Sequence, residues 1–256
     1  MSAPISNLFL SGLSYESREW LVSRCVEVEL PLHTLLYEAE IAPRHAYFLT
    51  SGLASVVTPM ASGEAAEVAF IGHKGLVGSL HLLGPTSVST RCMMQLGGSG
   101  LRIPFAALQS KFEASEEIRG RVLEFVQEQA VMVGQIAGCN RLHSAEQRLA
   151  RWLLMAQDRT QCDMLRFTQE YLAEMIGTQR TTVTVLAGEL QRRGLIRYSR
   201  GSVHIVNRDG LEAVACECYL VTKRLHANLY SRDSKPVTAN GSHPTPSEVS
   251  HLLELR

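Results

Sequence analysis

Residues 167–188 read FTQEYLAEMIGTQRTTVTVLAG. The fold turns on whether they are two core helices or a pair whose second member is free to enter a groove of DNA. Thr168 can cap a helix running through Leu172, Ala173 and Ile176, because its hydroxyl accepts from the orphan N–H groups of a first turn. Gly177 can take the left-handed conformation that stops that helix. Two residues later a second helix begins. It carries Val183, Leu186, Ala187 and Leu190 on one side, with Gln179, Arg180, Thr181 and Thr184 on the N-terminal and opposite side. Small Ala173 permits close approach, and a short Gly-containing turn between two helices is helix-turn-helix geometry. The outer face of the second helix is small and polar and carries one Arg, a side chain that matches the two acceptors of guanine.

The residues downstream support the groove reading. Gly194 ends the second helix, and RYSRGSVHIV over residues 197–206 reads as a two-strand hairpin turning at Arg200-Gly201, a wing. Between Ile176 and Arg208 six Arg stand against the single acid Glu189, a local net charge of +5. That is the electrostatic footprint of phosphate contacts. The DNA face is assigned to Thr168, Thr178, Gln179, Arg180, Thr181, Thr182, Thr184, Arg192, Arg193, Arg200 and Ser202. A terminal helix is expected to start at a capping box of Asp209 and Glu212.

Upstream, CVEVELP, TLLYE, HAYFLTSG, LASVVTP, EVAFIG, VSTRCMMQLGG and GLRIP are short β-rich runs broken by turn residues, the pattern of an antiparallel barrel or jelly roll. Met60-Ala-Ser-Gly63-Glu64 is expected to be a hairpin turn. After Pro104 the pattern becomes helical, with a short piece before Ser115 and a long piece after it. Ile118, Val122, Phe125, Gln129, Met132 and Ile136 keep the alternating spacing of a coiled-coil seam. The pattern alone leaves open whether that stripe pairs with its own copy or packs on its own barrel. Ser144 with Gln147 forms a capping box that starts a new helix, so residues 140–143 are expected to be a hinge or a domain boundary. The expected organisation is therefore α+β. A β jelly-roll sensor domain spans 1–112, a dimerisation helix and hinge 113–142, a winged helix-turn-helix 143–230, and a polar, Pro/Ser-rich disordered tail 231–256.

Composition adds bounds. The 256 residues hold 25 Lys plus Arg and 25 Asp plus Glu, so any signal for nucleic acid is local. No run of eighteen apolar residues and no basic-then-apolar start occurs. The expectation is a soluble cytoplasmic protein with no membrane partner. Six cysteines in a chain too large to need staples suit a reducing compartment. No metal-ligand set is read; Cys216-Glu-Cys218 is taken as two small side chains on a helix, where residues one apart do not share a face.

From Leu8 to Tyr230 the chain resembles the Crp/Fnr family of bacterial transcription regulators. The resemblance rests on HSAEQRLARWLL, the stretch from Phe167 to Ile196, and RYSRGSVHIVNRDGLE. In the N-terminal half it rests on YFLTSGLASVV, GEAAEVAFIG and Gly75-Leu-Val-Gly78. It implies a homodimer paired through the long helix, with a recognition helix in the major groove of a two-fold symmetric double-stranded DNA site, and RNA polymerase as a further partner if the protein activates. Arg180 falls on the Arg that members use at the start of the recognition helix. Thr181 and Val185 depart from the family's commoner residues, so the operator is expected to differ.

The effector side departs further. Cyclic-AMP-binding members resemble one another in a Gly-Glu pair and a later Arg followed by Ser or Thr. Here the corresponding positions, Gly78-Ser79 and Ser89-Thr90-Arg91, lack the carboxylate and displace the Arg. A phosphate without that charge loses its compensation, which argues against cyclic AMP. One cysteine before Cys92 cannot make the four-thiolate set of an iron–sulfur cluster. Haem has only the isolated His73, His81 and Cys92 in its favour, and lone histidines near turns read as surface side chains. The effector is left open: another small ligand, a redox signal, or none. A cupin-type enzyme would need paired His ligands, and His33, His45, His73 and His81 are isolated.

Overall fold

The computed structural model describes residues 7–61, 65–84, 87–160, 164–199 and 201–230. The proposed turn at 60–64 lies partly, and Arg200 and the 231–256 tail wholly, outside them. Two short helices, α1 (Leu8–Ser11) and α2 (Tyr15–Val22), open the chain. Neither is apparent in the β-rich reading of this half. They fold because Asn7 and Ser14 cap them, and because Phe9, Leu10 and Leu21 are buried. The fully buried Asn7 amide also donates to the carbonyls of Leu49 (2.9 Å) and Gly75 (3.0 Å), tying the segment to the barrel.

The barrel strands are β1 (Val26–Leu30), β2 (Leu35–Tyr37), β3 (His45–Leu49), β4 (Leu53–Pro59), β5 (Ala65–Ile71), β6 (Leu76–Val77), β7 (Arg91–Leu96) and β8 (Gly98–Pro104). They form two antiparallel four-stranded sheets, ordered β1-β8-β3-β6 and β2-β7-β4-β5, the face-to-face arrangement of a jelly roll. Tight corners need glycine here. A Cβ on Gly98 would lie 2.3 Å from the Ser51 carbonyl oxygen, and Gly52 sits at φ +80.

Helix α3 (Phe105–Ala114) and the long α4 (Glu116–Leu142) follow, divided at Ser115, whose hydroxyl accepts from Ile118 N. The apolar stripe of α4 is spent inside the chain. Ile118, Val122 and Phe125 belong to the barrel core, and Met132 belongs to the core of the C-terminal domain. Ile136 packs partly against that second core, and Gln129 lines a cleft against the barrel. The assignment of these residues as a dimer face is therefore corrected: four of the six are already covered by their own chain.

The C-terminal domain contains α5 (Ala145–Thr160), β9 (Met164–Arg166), α6 (Gln169–Ile176), α7 (Arg180–Arg192), β10 (Ile196–Ser199), β11 (Ser202–Ile205), α8 (Arg208–Val214) and α9 (Cys218–Tyr230). The Ser144–Gln147 box is reciprocal: Ser144 N donates to Gln147 Oε1 at 3.0 Å and Gln147 N to Ser144 Oγ at 3.3 Å. The wing is a three-stranded sheet, β10-β11-β9, whose third strand is not apparent in the sequence pattern. Asn207, not Asp209, caps α8, accepting from Gly210 N at 2.9 Å. The expected single terminal helix is two, broken at Ala215–Glu217, so Cys216 lies in the connection and Cys218 opens α9. The reading of both thiols on one helix is therefore also corrected.

The two domains share a seam. Leu53 and Phe70 of the barrel cluster with Trp152, Leu153, Phe167 and Tyr171. Trp152 meets Phe167 edge-on at 4.7 Å and Phe70 at 6.0 Å, and Arg159 lies over the Phe70 ring at 4.2 Å. At the same seam Glu67 of β5 accepts from the Trp152 indole N–H (3.3 Å) and the Tyr171 hydroxyl (3.1 Å), with the Ser55 hydroxyl as a third donor.

Candidate nucleic-acid interface and effector cleft

The turn between α6 and α7 is built by local chemistry. Thr168 caps α6, accepting from Tyr171 N at 3.1 Å. At the other end Gly177 is left-handed (φ 60, ψ 54), Thr178 N donates to Ala173 O and Gly177 N to Glu174 O. These are the two bonds of a Schellman stop. Gly194 (φ 71) ends α7 in the same way, with Leu195 N donating to Leu190 O and Gly194 N to Gln191 O. Val183, Ala187 and Leu190 are buried against α5 and α6, which fixes which face of α7 points outward.

That outward face carries Arg180, Thr181, Thr184 and Val185, with Gln179 exposed at the N-cap and Thr178 and Thr182 half-buried. Val185 is 71% exposed, a large apolar side chain left mostly uncovered, with a shape suited to a thymine methyl. The Thr184 hydroxyl lies 3.0 Å from Arg180 O and 2.6 Å from Gln169 Oε1, so it braces the two helices as well as facing outward. Gln179 makes no side-chain cap bond, so the first N–H groups of α7 remain open to a phosphate at the positive end of the helix.

The basic footprint is smaller than the residue count implies. Arg192 pairs with Glu189, and Arg193 pairs with Glu146 at 2.9 Å. Arg208 points inward to Asp158 (2.8 Å) and Glu212 (3.0 Å), with Tyr219 donating to the same Asp158 at 2.8 Å. It holds α8 on α5 and is withdrawn from the phosphate set. Arg197 stays exposed on β10, Arg166 on β9, and Ser202 is half-buried on β11.

Between the barrel and α4 lies a cleft of about 140 Å³, lined by Tyr37, Val56, Ile71, Gly78, Ser79, Thr90, Val126, Gln129, Ala130 and Val133 among others. Three of the five effector residues read from the sequence, Gly78, Ser79 and Thr90, reach it. Ser89 is exposed outside it, and Arg91 is bound to Glu38 at 2.9 Å. The described lining carries no charged side chain and is chiefly apolar. His73 and His81 are not surface side chains. Both are buried, and burial holds both imidazoles below their usual pKa. The His73 ring is bonded to Arg159 O, whereas His81 sits edge-on to Tyr37 at 4.7 Å and to Phe105 at 6.1 Å.

A jelly roll joined through a long helix to a winged helix-turn-helix defines a two-domain DNA-regulator fold. Residues 147–214 match the family model described as the Crp-like helix-turn-helix domain. Solved structures share the wider architecture. FixK2 from Bradyrhizobium japonicum is 14% identical over 75% of this chain and 98% of its own (TM-score 0.64). The c-di-GMP-responsive global regulator CLP of Xanthomonas campestris is 16% identical over 75% and 99% (0.62). A CRP-family regulator from Thermus thermophilus is 20% identical over 73% and 96% (0.61). No curated protein matches the sequence. The chain thus carries a Crp-like helix-turn-helix domain and has the fold of the Crp/Fnr transcriptional regulators. Among the described residues no helix is long and apolar enough to cross a membrane.

Proposed function

We propose that the protein is a homodimeric, sequence-specific DNA-binding transcription regulator whose α7 enters the major groove. The observation that carries this reading is the outward face of α7, where Arg180, Thr181, Thr184 and Val185 are exposed while the opposite face is committed to the core. Selection from random duplexes is expected to recover a two-fold symmetric site. Arg180→Ala is expected to weaken binding to it by about 1–3 kcal/mol and to relax specificity at one base pair per half-site. Absence of salt-sensitive duplex binding by the wild type would overturn the assignment.

The pairing surface is the outer side of α4. Leu123, Ala130, Val133 and Ala137 are exposed there and, with Val126 partly covered by the barrel core, repeat at alternating three and four spacing; Leu123 and Val133 are 48% and 39% exposed. Gly120, Gly134 and Gly138 have open space where a Cβ would stand, which favours close helix approach. Light scattering is expected to give a dimer for the wild type and a folded monomer for Leu123→Glu/Ala137→Glu; an unchanged mass would remove α4 as the interface. Val126, Ala130 and Val133 also line the cleft. A small apolar ligand held there touches the pairing helix directly, and it shifts DNA affinity by binding one dimer arrangement better than the other.

A further inference from the structure

The end of α4 presents Cys139 and, one turn later at its C-cap, His143. The connection from α8 to α9 brings Cys216 and Cys218 to the same place. The four donor atoms all lie within 4.8 Å of one another. Cys139 Sγ is 3.5 Å from Cys216 Sγ, and Cys218 Sγ is 3.6 Å from His143 Nδ1. A zinc tetrahedron with ordinary zinc–sulfur and zinc–nitrogen bonds has edges of about 3.8 Å between sulfurs and about 3.6 Å from sulfur to nitrogen. The four donors are therefore spaced to hold a single ion, whereas a four-iron cluster, filling the space between its thiolates, would spread them further.

The surroundings fit a thiolate-rich metal. His143 Nε2, the nitrogen turned away from the thiols, is 3.2 Å from Glu217 Oε1, the carboxylate–histidine arrangement that fixes the tautomer of a metal-bound imidazole. Gln135 Nε2 donates to Cys218 Sγ at 2.9 Å. Beside the cluster Arg151, 1% exposed, acts electrostatically on Cys139. Its Nη1 is bonded to the Met155 thioether at 3.2 Å, its Nε has no hydrogen-bond partner, and no carboxylate forms a salt bridge with it among the described residues. A buried guanidinium needs a counter-charge. One zinc(II), three thiolates and a neutral imidazole sum to −1, which supplies it.

We propose that Cys139, His143, Cys216 and Cys218 form a closed tetrahedral site for one zinc ion, locking the end of the pairing helix to the start of α9. Binding releases three thiol protons and needs no oxidant. All four positions are taken by protein, so the site is structural and offers no place for substrate. It lies at the junction of α4 with the DNA-binding domain, and loss of the ion frees the angle at which the recognition helix is held.

The test is metal analysis of the full chain, purified reduced, offered zinc and dialysed. Wild type and Cys25→Ser are expected to keep one zinc per chain. His143→Gln, a change of similar size at a partly buried position, and Cys218→Ser are expected to keep less than about a tenth. Cobalt in place of zinc is expected to show tetrahedral visible bands and thiolate charge transfer, and Glu217→Gln to weaken metal binding about 10- to 100-fold. Retention of one zinc by His143→Gln, less than a tenth of an equivalent in reduced wild type, an octahedral cobalt spectrum, or a Cys139–Cys216 disulfide in zinc-treated reduced protein would each overturn the proposal.

Discussion

Trp152→Ala is expected to cost about 3–5 kcal/mol of stability, the range for removing a large aromatic side chain from a packed core. The side chain is 1% exposed and lies where the two domains meet. Its ring contacts Phe167 at 4.7 Å and Tyr171 at 5.7 Å within its own domain, and Phe70 at 6.0 Å across the seam. Its indole N–H also donates to Glu67. Truncation therefore leaves a cavity on both sides and removes a donor from a desolvated carboxylate, so the two costs add. Chemical denaturation checks the magnitude. A loss below about 1 kcal/mol would show that the seam opens freely and contributes little to folding. A normal barrel transition with early melting of the helix-turn-helix would localise the loss to the C-terminal side.

Much of this molecule is legible in sequence because the signals are local. Thr168, Ser144 with Gln147, Gly177 and Gly194 act within a few residues of their own position, and caps and stops form wherever the chain offers them. The alternation of the barrel strands is equally local. What escapes is what depends on distant partners. The stripe from Ile118 to Met132 reveals an apolar face of α4 but not what covers it. Once the barrel covers it, the free face is the one carrying Leu123 and Ala137. A count of Arg residues likewise ignores pairing: Glu146 and Asp158, upstream of the counted window, take Arg193 and Arg208 out of the phosphate set. The zinc ligands lie on segments separated by more than seventy residues, with Cys216-Glu-Cys218 visible only as a short pair until the break after α8 is known. Third strand β9 and the Glu67 contacts are of the same kind.

Glu67 gives a second large effect, in pH rather than packing. Burial, the leading influence, raises its carboxyl to about 7 despite the donors from Ser55, Trp152 and Tyr171. Relative to an ordinary value near 4.5, that corresponds to about 3 kcal/mol. The sign follows from linkage. A carboxyl whose folded pKa lies above its unfolded one contributes stability fully below pH 4.5, and the contribution is lost as pH rises to 7. His73 and His81 act in the opposite sense: their folded pKa values are lowered, so stability is lost as pH falls below 6.5. The wild-type profile therefore mixes both, and a difference measurement separates them. In Glu67→Gln the amide oxygen can accept the Trp152 N–H while its NH₂ donates to the Ser55 and Tyr171 hydroxyls, so the network is kept without a titrating group. Stability of Glu67→Gln minus wild type, measured by denaturant unfolding, is expected to climb by about 3 kcal/mol between pH 4.5 and 7 and then level off. Parallel profiles across that interval would mean that Glu67 stays ionised in the folded seam. A rising difference would identify the contact between barrel and recognition domain as one that weakens on loss of a single proton.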